Sequence, residues 1–90
     1  MAEDFAARVK RLKYRSKHRG TKELDILLGR FAEQHLDHMT PAEIERYEAI
    51  LEANEHDIYH WLAGKRPVPP EHDNAVMRRI LSFEIAKSEP

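Results

Sequence analysis

The chain has no cysteine in its 90 residues, which removes disulfides, thiolate zinc sites, iron–sulfur clusters and cysteine nucleophiles together. It has three glycines, too few for a glycine-rich phosphate loop. No apolar run approaches the roughly 18 residues that a membrane span needs. Met1-Ala2-Glu3-Asp4-Phe5 lacks the basic and apolar stretches of a signal peptide, and its two early acids argue against a transit peptide. These features point to a soluble protein of the bacterial cytoplasm. The chain also lacks internal repeats and low-complexity segments.

What is present fits one helical domain over residues 1–90. Hydrophobic residues make up 41% and charged residues 34% of the chain, and mean hydropathy is −0.73. That is polar, yet sufficient for a modest core. The net charge of −1 conceals an asymmetry. Arg8, Lys10, Arg11, Lys13, Arg15, Lys17, Arg19 and Lys22 put eight bases and no acid into residues 8–22, whereas residues 32–57 hold eight acids against Arg46 alone. Such a dipolar chain can steer a partner electrostatically.

Helical punctuation recurs five times, and no run alternates with period two, so the reading is all-α, a small five-helix antiparallel bundle with helices between about residues 4 and 86. Asp4 caps a first helix to Tyr14 that buries Phe5, Val9 and Leu12. Thr21 caps a second helix to His38, with Leu24, Leu27, Leu28 and Phe31 on its buried stripe. Phe31 is read as core, with an exposed contact as the alternative. Gly29 inside that helix costs about 1 kcal/mol relative to Ala and predicts a close helix–helix approach. Thr40-Pro41-Ala42-Glu43 reads as a capping box with proline at the first helical position, opening a third helix that buries Ile44, Tyr47, Ile50 and Leu51. Asn54 stops that helix or caps the next, which runs from Glu55 to Ala63, carries Ile58, Tyr59, Trp61 and Leu62, and ends at Gly64. Residues 65–70 form a stiff, proline-rich connector. The fifth helix runs from Glu71 to Ala86, with Val76, Met77, Ile80 and Phe83 on one face.

Catalytic chemistry finds little support. His56 and His60, four apart, and His35 and His38, three apart, have spacings that zinc sites use, but His56 is not followed by the glutamate of a zincin. They read as surface histidines. Ser16, Ser82 and Ser88 lie in no nucleophile elbow, and Glu48 and Glu52 read as a solvated face. Neither an enzyme nor a metal protein is expected. Nucleic-acid binding draws on the basic segment. Against it stand a pI near 6.6, the acidic third helix and the lack of a helix-turn-helix.

The segment from Arg15 to Asp25 is the most unusual. Gly20 suits a turn that needs positive φ, and Glu23 suits the N-terminal end of a helix dipole. Neither explanation accounts for the crowd of bases at the junction. As a contact surface, Gly20 would let a partner's backbone come close, while Arg19 and Glu23 would flank it as a fork donor and an acceptor.

Arg19-Gly20-x-x-Glu23, with Tyr14-Arg15-Ser16 before it and Leu24-Asp25-Ile26-Leu27-Leu28 after, resembles the SdhE-type succinate dehydrogenase assembly factors, a family of FAD flavinylation factors. Tyr47-Glu48-x-x-Leu51, Asp57-Ile58-Tyr59-x-Trp61-Leu62, Gly64 and the proline-containing connector extend the resemblance over residues 8–82 in the family's order. The resemblance implies a five-helix, non-enzymatic chaperone. Such a protein binds the immature flavoprotein subunit of succinate dehydrogenase, in some bacteria that of fumarate reductase, and promotes covalent attachment of FAD to its histidine. FAD would be carried by the partner, with no cofactor bound stably by this chain, which would act as a monomer away from membranes and nucleic acid. Carried over by position, Arg19, Gly20 and Glu23 are the expected contacts, with His18, Lys22, Asp25 and Arg15 as neighbours. Trp61 and Tyr59 are expected to pack structurally. The alternatives are a nucleic-acid binder or antitoxin-type regulator using residues 8–22, and an unrelated interaction bundle using the acidic third helix.

Overall fold

The computed structural model describes residues 4–88, with side chains through Phe83. Its fold is all-α. The five α-helices are α1 (Phe5–Lys17), α2 (Lys22–His35), α3 (Pro41–Leu51), α4 (Glu55–Leu62) and α5 (Ala75–Ser88), and no strand occurs among the described residues. Single 3-10 turns follow α2 at Leu36–His38 and precede α5 at Pro70–His72. Contacts divide the chain into two compact units, residues 1–45 and 46–90, with the boundary inside α3.

In the first unit, the Asp4 carboxylate caps α1 by accepting from the Ala7 amide at 2.7 Å. The helix continues one turn past the expected end at Tyr14. Ser16 takes the inward position after Val9 and Leu12, and its hydroxyl donates to the Leu12 carbonyl at 2.8 Å. A buried serine satisfied inside its own helix extends the inward face with no apolar residue to announce it. Phe5, expected inside, is 41% exposed.

α1 and α2 form an antiparallel hairpin. A Cβ on Gly29 would come within 2.9 Å of Lys17 Cγ, so the predicted close approach is present. Farther along, Lys17 pairs with Glu33 and Lys13 with Asp37, each at 2.8 Å. Leu24, Leu27, Leu28, Phe31 and Ala32 are buried along α2, which settles Phe31 as core, its ring stacked on His35. α2 ends at His35 rather than His38, because its last turn tightens into 3-10 geometry. The capping box at α3 is complete. The Thr40 amide donates to Glu43 Oε1 at 2.9 Å, and the Glu43 amide donates to Thr40 Oγ1 at 3.2 Å.

In the second unit α3 buries Tyr47, Ile50 and Leu51. Asn54 caps α4 through the His56 amide at 2.8 Å. At its other end Lys65 N donates to the His60 carbonyl and Gly64 N to that of Trp61, with Gly64 at φ +73°. This is a Schellman closure, which needs a residue in the left-handed region. Ile58, Trp61 and Leu62 are buried, but Tyr59 is 38% exposed and does not pack as expected. Three residues of an eight-residue helix already fill the inward arc, and Tyr59 falls outside it. Trp61 lies against His72, ring centroids 5.4 Å apart. α5 begins at Ala75, four residues after the expected start. Asn74 accepts from the Met77 amide at 3.1 Å, and the 3-10 turn carrying Glu71 closes before it. Val76, Met77 and Ile80 are buried, whereas Phe83 is only half-buried.

Candidate functional site: the α1–α2 junction

Four residues, His18 to Thr21, turn the chain from α1 into α2. A reversal this short needs one residue outside the ordinary backbone regions, and Gly20 supplies it at φ +93°. Beyond its two chain neighbours, nothing lies within 4 Å of the place where its Cβ would stand. The glycine is therefore required by backbone conformation and leaves open space outside.

The junction is held by Asp25. Its amide donates to the Thr21 carbonyl at 2.8 Å, the first bond of α2, and its Oδ1 accepts from the Arg19 amide at 2.7 Å. One residue thus ties both sides of Gly20. Thr21 occupies the N-cap position, but its side chain makes no capping bond, contrary to the expectation. The reach of Asp25 back across the turn closes the junction from inside α2 instead.

All seven expected contact residues fall on this junction and the helical turns beside it. His18, Gly20, Lys22 and Glu23 are exposed, and Arg15, Arg19 and Asp25 are half-buried. Glu23 sits in the first turn of α2, where the helix dipole favours a carboxylate. Within the set, Arg19 and Asp25 bond through the Arg19 backbone. The His18 ring lies tilted against Tyr14, centroids 4.2 Å apart.

Two neighbours were quoted from sequence only as flanks of the motif and not as contacts. Tyr14 is 66% exposed. It lies four residues before His18 on the face opposite Val9, Leu12 and Ser16, so its outward position was readable once Ser16 was recognised as inward. Ile26 is 40% exposed, falling outside the stripe of Leu24, Leu27, Leu28 and Phe31. It lines a shallow groove of about 280 Å³ together with Lys17, Asp25, Gly29, Arg30, Glu33 and Gln34.

Charge at the junction is less raw than the composition suggests. Lys13 and Lys17 are both paired with acids from beyond Gly29. The Lys17 ammonium, hydrogen-bonded to Glu33, holds that carboxyl below its ordinary range. Among the described residues no cluster of three or more histidines and acids is arranged to hold a metal ion, and no helix is long and apolar enough to cross a membrane.

Comparison with known proteins identifies the family of the chain. The family described as flavinator of succinate dehydrogenase matches residues 10–84. A relative from Acetobacter pasteurianus, called FAD assembly factor SdhE, is 45% identical over 90% of this chain and 75% of its own length. The mitochondrial succinate dehydrogenase assembly factor 2-A of Drosophila yakuba is 36% identical over 97% of this chain. Assembly factor 2 of Scheffersomyces stipitis is 38% identical over 88% of it. The chain spans 54% of the length of each of these two mitochondrial relatives. With a match that takes in both helices of the hairpin and the junction between them, the chain belongs to the flavinator of succinate dehydrogenase family.

Proposed function

We propose that this protein is an assembly factor that binds the immature flavoprotein subunit of succinate dehydrogenase and promotes covalent attachment of FAD to its histidine. The observation that carries the reading is the Arg19-Gly20-x-x-Glu23 junction. It is a turn tied on both sides by Asp25, with open space over Gly20 and carboxylate and guanidinium groups beside it. A rigid turn with an uncovered backbone suits close approach by another protein's chain.

A helical body of this kind promotes a reaction by holding groups of its client in a favourable relation. The bond-forming chemistry belongs to the flavin and the client. In this reading FAD is carried by the client, the complex is 1:1, and this chain is not an enzyme. The flavoprotein of fumarate reductase is a second client of the same kind. The alternative of a nucleic-acid binder or antitoxin-type regulator is weakened by the pairing of Lys13 and Lys17 with Asp37 and Glu33, which fixes two of the eight bases against acids of the same unit.

The test is to incubate purified, unflavinylated flavoprotein subunit with FAD, with and without this protein, and to read flavin fluorescence in a denaturing gel. The expected outcome is more covalent flavin with the wild type and none above background with Gly20→Arg. Equal flavinylation with and without the protein, on a client shown to be competent, would overturn the reading.

A further inference from the structure

The groove beside the junction has a composition that the motif does not explain. Its walls carry two bases and two acids, Lys17, Arg30, Asp25 and Glu33, around Ile26 and Gly29. Three of the four charged groups are engaged within the chain. Lys17 bonds Glu33 at 2.8 Å, and Asp25 accepts from the Arg19 amide at 2.7 Å. Among the described residues, no hydrogen bond or ion pair engages the exposed Arg30 guanidinium. One turn before it on the same face, Ile26 leaves 40% of its surface in water. Lys22, Ile26 and Arg30 therefore form a stripe at four-residue spacing that starts next to the junction and runs two turns along α2.

We propose that this stripe is a second part of the client-binding surface. It receives a segment of the flavoprotein that places an aliphatic side chain over Ile26 and a carboxylate on Arg30. The inference rests on the assembly-factor reading and extends it away from the motif. Charge decides the occupant. Among the described residues no acid bonds the Arg30 guanidinium, and its fork of donors is complementary to a carboxylate, which it can hold through two parallel bonds. A nucleic-acid backbone is a poor alternative, because a run of phosphates needs several bases, and of the two in the groove Lys17 is already bonded to Glu33. The exposed aliphatic surface of Ile26 likewise calls for an apolar side chain, which a phosphate backbone does not offer. The groove is continuous with the junction through Asp25, so one client segment can engage both.

The experiment measures binding of purified, unflavinylated flavoprotein subunit of succinate dehydrogenase by calorimetry to five proteins: wild type, Gly20→Arg, Arg30→Glu, Ile26→Ser and Arg46→Glu. Circular dichroism melts check that each is folded. Arg46 is exposed on α3, and its reversal changes net charge by the same amount. Arg30→Glu is expected to weaken binding about tenfold or more, Ile26→Ser about fivefold, and Arg46→Glu by less than about twofold. Loss with Gly20→Arg but wild-type affinity for Arg30→Glu and Ile26→Ser would overturn the inference and leave the assembly-factor reading intact. Equal weakening by Arg30→Glu and Arg46→Glu would also overturn it, because the effect would then be long-range attraction. No binding by the wild type would remove both.

Discussion

Gly20 separates backbone demand from surface demand, because its φ of +93° penalises any side chain while the space around it excludes none. Asparagine visits the left-handed region more readily than other residues with a Cβ. Gly20→Asn should therefore melt close to wild type, and Gly20→Arg should lose about 1–2 kcal/mol, roughly 4–16 °C in a domain of this size, while keeping its helical spectrum. Unfolding of Gly20→Arg at room temperature would show that the residue matters for folding alone.

Glu33 offers a test of sign. Its carboxyl is held below the ordinary 4.5 by the Lys17 hydrogen bond and charge. A carboxylate depressed by folding contributes stability that is present above its unfolded pKa and lost as pH falls through the folded one. Wild type should melt slightly above Glu33→Gln near neutrality. The gap should start to close below about pH 4.5 and vanish at lower pH, read from paired melts. A constant gap across that range would exclude the ion pair as its source.

At the level of the helix, two threonines in N-cap position make a controlled comparison. Thr40 completes a reciprocal box with Glu43, whereas the Thr21 side chain makes no capping bond. Thr40→Ala should cost about 1 kcal/mol and Thr21→Ala only a few tenths, measured by urea unfolding. Equal costs would contradict the capping geometry. The same pair shows what the sequence could disclose. The Thr40 box, the Asn54 cap and the Gly64 stop depend on residues within a few positions, and all were legible as local pattern. Thr21 was misread because its place at the junction is taken over by Asp25 bonding the Arg19 amide, a choice that depends on how the turn closes. The start of α5 was misplaced for a related reason. Pro70–His72 and Ala75–Ser88 share helical character, and they are divided by Asp73, whose ψ of 82° leaves the helical region, and by the Asn74 cap. At the candidate site, the motif and its flanks were legible as residue pattern, whereas the exposure of Tyr14, Ile26 and Arg30 needed the inward faces of α1 and α2 to be known first.

For the chain as a whole, the eight-base segment at residues 8–22 looked like a phosphate-binding row, but the register of α1 on α2 sets Lys13 and Lys17 against Asp37 and Glu33, far along the sequence. That pairing was invisible without the hairpin. Titration with duplex DNA should give weak association whose log–log salt slope falls well short of the roughly −7 that eight phosphate contacts would produce. A slope that steep would revive the nucleic-acid reading.

The crossing at Gly29 has a consequence for kinetics. With Lys17 pressed on that glycine and two ion pairs beyond it, the four-residue junction is suspended between helices that hold their spacing. Its backbone has little conformational freedom left to lose when a client arrives, so less of the interaction free energy is lost to ordering it. Docking should resemble the meeting of two preformed surfaces. It should show a single concentration-dependent phase, with Gly29→Leu, which wedges the helices apart, slowing it and adding a second.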